Sequence, residues 1–446
     1  MLARQASLSK KDDDGGRRGS VEFKLASPFG VMLEAVMKKA KEVDLWNDEM
    51  QRDLPKKWEK HGDMVIFPQN SFTHQNWRFI GRDLWRVVAE ALKVARLGRK
   101  RVIDERTPHV DIMYGDNGWV EHVDERGITY VYDASKRVFN VEKAKEMRRI
   151  EGWSCNGETV VDMYAGLGYF TFPFAIACQA KKVYAMDWDE DTVEALVRTR
   201  SVNKVDDVVE IIQGDARRVC PQGVADRVYL GLVPSCRAHL LTASRALSPQ
   251  GGIIHVQESI DTKAKRVIPT RRPLIKQVSK LDSLDETAPS TSTTPKNDQL
   301  AKEAANAPPE TRAAPSTEDT ENVELDEDGN PKVRRKFSRS ASIVEEMENR
   351  KFPEPTVHPD FEATWAKLQQ PFKAFAMDCA SSVTRFLNNI HESDDLYGVT
   401  VVNLLRLSSN KTVDTVVLDL VCAKDAATAA RLAGKLLPKE HDHKKE

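Results

Sequence analysis

Hydrophobic positions change their spacing several times along this chain, and each change marks a boundary. Residues 1–25 are polar with few apolar positions, which predicts a disordered tail. Over 27–133 the patterns are short and mixed. Apolar residues recur at helical spacing around 31–45, MVIF reads as a strand, and Leu84, Val87, Val88, Ala91, Leu92 and Ala95 share one helix face. Short strands are expected in VDIMYG, WVEHV and ITYVYD, giving a small α+β domain over 26–135. From Thr159 the pattern becomes regular: TVVDM, KVYAMD, VVEIIQ, DRVYLGL and GGIIHVQE alternate with helical stretches, including 190–203 and one from Ser235. That order predicts a parallel sheet covered on both faces.

Over 263–351 the regularity stops. APSTSTTPKND and AANAPPETRAAPSTEDTEN carry Pro, Ser, Thr and charge and almost no aromatic residues, so this stretch is expected to be disordered. Beyond it come a helix interrupted near Pro371 and the runs VTVVNLLRL and DTVVLDLVCA. Two strands alone are only marginally stable. The economical reading is that they complete the sheet begun at Thr159. Segments 136–262 and 352–424 then form one domain, 263–351 is an insertion within it, and 425–446 is a C-terminal helix and charged tail.

The net charge of −1, from 67 Lys/Arg and 68 Asp/Glu in 446 residues, excludes a globally basic nucleic-acid binder. Charge is local instead: residues 78–101 hold eight basic and two acidic residues, read here as an extension of the amphipathic helix. Such a face is either an ordinary solvated one or a contact for an RNA backbone. The six cysteines (155, 178, 220, 236, 379 and 422) show neither a C-x-x-C pair nor metal-ligand histidine spacing, so buried reduced thiols are expected, with no metal. The N-terminus lacks the apolar core of a signal peptide and no run reaches membrane-span length, which predicts a soluble cytoplasmic protein. The serines of RRKFSRSAS (Ser338, Ser340, Ser342) suit phosphorylation.

The chemistry concentrates at strand ends. In VVDMYAGLGYFTFPFA, Gly166 and Gly168 occupy the turn after the first strand, where a backbone approaches a ligand closely. Asp162 precedes the turn, and Asp187 ends the next strand, nineteen residues beyond Gly168, where an acid can accept both ribose hydroxyls. The third strand ends in QGDA, putting Asp215 and the Ala216 amide where an adenine edge is read. Thr171 stands where a dinucleotide fingerprint has its third glycine, which favours S-adenosylmethionine over a nicotinamide cofactor. The bland alternative for each aspartate is a helix N-cap, and it suits Asp189 better than Asp187. In ADRVYLGLVPSC, Val228, Leu230 and Leu232 alternate before Pro234, and neither carboxylate nor histidine follows in the loop; His239, on the next helix, is expected to face solvent or core.

The runs DMYAGLGYFTFPFA, AMDWDEDTVEAL, QGDARRV and DRVYLGLVPSC resemble S-adenosylmethionine-dependent tRNA enzymes that modify the purine 3′ of the anticodon. The resemblance spans about 54–423 apart from the insertion, including LPKKWEKHGDMVIF and DNGWVEHVDERGITYVYD. Within that group the chain looks like the wybutosine-synthesizing aminocarboxypropyltransferases. Their fourth strand ends in Gly-Leu-Ile/Val-Pro-Ser, as Gly231-Leu232-Val233-Pro234-Ser235 does here, whereas the sister guanine-N1 methyltransferases have Asn-Leu-Pro.

The resemblance implies a Rossmann-like α/β sheet closed by an antiparallel hairpin. It implies S-adenosylmethionine as aminocarboxypropyl donor to carbon 7 of 4-demethylwyosine in the anticodon loop of phenylalanine tRNA, by a monomer, with Gly231, Pro234 and Ser235 positioning the substrate. Asn140, Arg148 and Tyr169 join the cofactor-binding set with Asp162, Gly166, Gly168, Asp187, Asp215 and Ala216. Family members carry a Phe-Ser-x-Gly-Asn-x-x-Glu-Lys-x-Arg segment whose lysine is replaced here by Met147, so Arg148 is expected to reach the methionine carboxylate. A guanine-N1 methyltransferase and a non-catalytic tRNA-binding protein with a cofactor fold remain alternatives.

Overall fold

A computed structural model of the chain describes residues 27–102, 108–263, 351–391 and 394–436. The expected N-terminal tail, the body of the 263–351 insertion with its serine cluster, and the charged tail beyond 436 lie outside the described residues.

The N-terminal part contains α1 (Pro28–Glu42), α2 (Asp48–Arg52), β1 (Glu59–His61), β2 (Met64–Phe67), α3 (Trp77–Ile80), α4 (Arg82–Leu92), β3 (Arg96–Val102) and β4 (Pro108–Tyr114). The strands form one sheet in the order β1-β2-β3-β4. The side chains of β2 alternate: Val65 and Phe67 pack with α1 and α4, while Met64 and Ile66 face the aromatic residues of the hairpin β5 (Trp119–Val123) and β6 (Thr129–Asp133). One correction concerns the basic stretch. The helix ends at Leu92, because Lys93 adopts a left-handed conformation (φ 54°), and 96–102 is a strand paired with both β2 and β4. Five of its eight cations are engaged locally: Arg96 on Asp63, Lys100 on Glu59, Arg101 on Asp111, Arg86 on Asp83 and Glu90, and Arg99 on the carbonyls of Ser71 and Phe72.

After α5 (Ala144–Glu151), the second sheet is built from β7 (Thr159–Asp162), β8 (Lys182–Asp187), α6 (Glu190–Val202), β9 (Val209–Gln213), α7 (Ala216–Val219), β10 (Arg227–Leu230), α8 (Leu240–Ala246) and β11 (Gly252–Asp261). It continues with β12 (Thr356–Val357), α9 (Pro359–Lys367), α10 (Gln370–Ile390), β13 (Gly398–Ser409) and β14 (Val413–Ala423), followed by α11 (Ala426–Ala433). The order is β12-β13-β14-β11-β10-β7-β8-β9. Strands β11, β10, β7, β8 and β9 run parallel, while β14 is antiparallel to both β11 and β13. The late hairpin therefore completes the sheet begun at Thr159. Leu232 departs from the expected alternation, since β10 stops at Leu230 and Leu232 is exposed. The apolar stretch after β7 winds through a π-helical turn over Pro173–Ala177.

Chain order runs outward from β7 to β8 and β9 on one side and to β10 and β11 on the other. This reversal leaves a crevice above the carboxyl ends of β7 and β10, where open α/β sheets bind ligands. One face of the sheet packs on α8 and α10 through Val228, Leu230, Phe375 and Val383; the other carries Tyr229, Phe170, Phe172 and Phe174. All six cysteines are buried free thiols. No described helix is long and apolar enough to cross a membrane.

Candidate functional site

The turn after β7 is shaped by its two glycines. Gly166 (φ 54°) and Gly168 (φ 87°) both occupy the left-handed region, and a Cβ on Gly168 would lie 2.1 Å from the Phe172 ring. Asp162, fully buried at the end of β7, accepts a hydrogen bond from Thr171 Oγ1 (2.8 Å) and one from the Tyr164 amide (3.4 Å). Burial raises its pKa to about 6, against the lowering effect of those hydrogen bonds. Thr171 therefore has a positive role at the place where a dinucleotide site would have glycine: it ties the helical end of the turn back to the strand.

Asp187 ends β8 and binds the same turn from the other side. Its carboxylate accepts from the amides of Gly166 (2.9 Å) and Asp189 (3.1 Å), and burial raises its pKa. Each carboxylate oxygen has a second lone pair, so Asp187 retains acceptor capacity for a diol. Asp189 caps α6 through the Thr192 amide. Asp215 also behaves as a cap, accepting from the Arg217 amide (3.0 Å), and its carboxylate is held below the usual range chiefly by the Arg217 guanidinium. Ala216 is buried beside it.

Tyr169 connects the turn to the preceding segment: its hydroxyl accepts from the Asn140 amide (2.9 Å) and donates to the Val138 carbonyl (3.4 Å). The Asn140 side chain is occupied locally, accepting from the Glu142 amide (2.8 Å). Gly231 directly follows β10 in ordinary backbone conformation, and a Cβ there would sit 3.1 Å from Phe170 Cε2. The next residues are fixed at the backbone: the Pro234 carbonyl accepts from the Ser259 amide (2.7 Å), and Ser235 bridges to Glu258. His239 faces neither solvent nor core alone; half-buried, it bonds the Tyr164 hydroxyl through Nδ1, and burial lowers its pKa.

Arg148 does not join this group. Its guanidinium is half exposed and pairs with Glu125 (3.3 Å) at the β5–β6 turn, because position 148 lies on the outer side of α5. Met147 points into the aromatic core. The cation that reaches the site is Lys143, in the turn just before α5. Its Nζ lies 5.4 Å from the centre of the Phe170 ring and donates to Gln257 Oε1 (3.3 Å). Burial lowers its pKa, partly offset by the charges of Asp162, Glu146 and Glu142. Lys143 and Gln257 were missed by the sequence reading; the only signal available was a lysine one helical turn before the expected cation.

The site is thus a strand-end surface with backbone donors, an acceptor carboxylate at Asp187, and a part-buried ammonium over the same Phe170 ring that Gly231 approaches. Among the described residues no cluster suited to a metal ion occurs.

Residues 121–282 match the family model described as the TRM5/TYW2 methyltransferase domain, and residues 43–118 that of the TYW2 N-terminal domain. The chain is 38% identical over 260 residues to the tRNA wybutosine-synthesizing protein 2 homolog of Danio rerio, covering 57% of this chain and 61% of that one. It is 39% identical over 221 residues to the homolog of Homo sapiens, 49% of each chain. With the Arabidopsis thaliana tRNA wybutosine-synthesizing protein 2/3/4 the match covers 24% of the relative, so the chain spans between a quarter and about six tenths of these relatives. The crystal structure of P. horikoshii TYW2 in complex with MeSAdo shares the fold, with a TM-score of 0.50, 20% identity, and 88% of this chain and all of that one covered. The two family models together run from residue 43 to residue 282, so the chain carries a domain of the TRM5/TYW2 methyltransferase kind, preceded by an N-terminal domain of the TYW2 kind.

Proposed function

We propose that this protein transfers the α-amino-α-carboxypropyl group of S-adenosylmethionine to carbon 7 of 4-demethylwyosine, 3′ of the anticodon in phenylalanine tRNA. The observation that carries the reading is the end of β10: Gly231, without a side chain, lies against Phe170 at the switch point, in a loop with no carboxylate. It leaves room for a large flat base where a bulkier residue would close on the ring. The close identity to proteins named for wybutosine synthesis supports the same direction.

The residues fit the cofactor. Asp187 has spare acceptor capacity for the ribose, the turn of Gly166 and Gly168 allows close backbone approach, and Asp215 with the Ala216 amide flanks the adenine position. Tyr169 and Asn140 hold the turn and Asp162 stiffens it. The cofactor supplies a sulfonium that activates its attached carbons toward displacement. The protein's contribution is orientation, which alone is worth several orders of magnitude in rate. Gly231, Pro234 and Ser235 shape the substrate side, with Pro234 and Ser235 fixed on β11. The tRNA is extruded into this crevice at one base, with the N-terminal domain, over 26–135, as its platform. The exposed Arg78, Arg82 and Lys93 remain available there for phosphates. The protein acts in the cytoplasm as a monomer.

The by-product tests this reading. Incubation with S-adenosylmethionine and tRNA carrying the precursor base should release methylthioadenosine; release of S-adenosylhomocysteine instead would make it a guanine-N1 methyltransferase. Absence of cofactor binding by calorimetry would leave the non-catalytic tRNA-binding alternative.

A further inference from the structure

Lys143 carries a part-buried ammonium that forms no salt bridge among the described residues. Its polar partner is a neutral amide, Gln257 Oε1 at 3.3 Å, and its other neighbour is the face of Phe170. Burying a cation without a paired anion is costly, and such groups persist where a ligand completes them. The amide is itself fixed. Gln257 Nε2 donates to the Tyr229 hydroxyl (2.8 Å), which donates to Glu146 Oε1 (2.8 Å); Arg149 clamps Glu146 (2.6 and 2.8 Å) and reaches Asp419 (2.6 Å), which also holds His255 (2.7 Å). Donor and acceptor roles along this chain run one way. The Gln257 oxygen is therefore turned toward Lys143, and two ammonium hydrogens remain for something else.

Phe170 links Lys143 to the proposed substrate loop, since the same ring that lies under the ammonium meets Gly231 at its edge. Asp187 lies at the opposite, ribose end of the turn. On the cofactor reading above, the sole anionic group of S-adenosylmethionine is its carboxylate, at the end of the arm that would be transferred. We propose that Lys143 binds that carboxylate, taking over from one helical turn earlier the role expected of a cation at position 147, and that Gln257, Tyr229 and Glu146 position it. Anchoring the arm between Lys143 and Gly231 presents its methylene, and not the methyl group, to the base.

Calorimetry with two probes tests this on the full chain: S-adenosylmethionine, and methylthioadenosine, which lacks the amino-acid arm. Lys143→Met should weaken S-adenosylmethionine about ten- to a hundredfold and leave methylthioadenosine within about twofold of wild type. Gln257→Glu, which supplies an internal carboxylate to the ammonium, should show the same selective loss while keeping the cation. Equal loss of both probes, or no loss of either, overturns the assignment. Loss confined to tRNA affinity also overturns it, in favour of a phosphate contact. Wild-type protein that binds neither probe overturns the cofactor reading itself, a result distinct from wild type binding both and the variants matching it.

Discussion

Asp162→Asn isolates the electrostatics of the turn, because asparagine keeps the shape and an acceptor for Thr171 Oγ1 while removing the charge. Burial raises the Asp162 pKa from 3.8 to about 6. Folding therefore favours the protonated acid: the stabilisation is complete below about pH 4 and is lost as pH rises through 6. The shift corresponds to about 3 kcal/mol between the two limits, of which about half falls between pH 5 and pH 7.5. Urea denaturation of the ligand-free protein at those two pH values is the assay. Relative to wild type, Asp162→Asn should gain about 1.5 kcal/mol on going to the higher pH. A difference that stays flat, or that runs the other way, would mean that Asp162 is already ionised, with Lys143 spent on it as a counter-charge and unavailable to a ligand.

Gly231→Asn should abolish most transfer yet leave cofactor affinity nearly unchanged, since the new Cβ crowds the Phe170 ring on the substrate side; full activity in the variant would reduce the glycine to a feature of the turn. Asp187→Ala should weaken S-adenosylmethionine and methylthioadenosine alike, about ten- to a hundredfold by calorimetry, and unchanged affinity would remove the ribose assignment. Asp419→Ala strips the counter-charge from Arg149 and His255 at once, and should cost about 3–5 kcal/mol in denaturant unfolding. A loss below about 1 kcal/mol would show that the buried network holds together without it.

The alternation of strands and helices after Thr159 was readable because parallel strands buried on both faces are apolar throughout, as in the fully buried β10. The closing hairpin was readable for a different reason: two apolar β-branched runs need a sheet to join. What escaped were contacts between segments distant in sequence. Residues 96–102 continue a helical pattern, yet pairing with β2 and β4 makes them a strand, and that pairing is non-local. The identity of the site's cation escaped for a similar reason. Position on α5 turns Arg148 outward to Glu125 and Met147 inward, and only the docking of α5 on β10 and β14, through Glu146 with Tyr229 and Arg149 with Asp419, brings the preceding Lys143 to Gln257 and Phe170. Likewise, nothing near Asp419 in sequence announces that it neutralises Arg149, 270 residues away.

The most direct measurement uses S-adenosylmethionine labelled separately in the carboxyl and in the methyl carbon, incubated with phenylalanine tRNA carrying 4-demethylwyosine. Carboxyl label should enter the tRNA and methyl label should stay in the small-molecule fraction. Methyl label in the tRNA, with the carboxyl label left behind, would contradict the account.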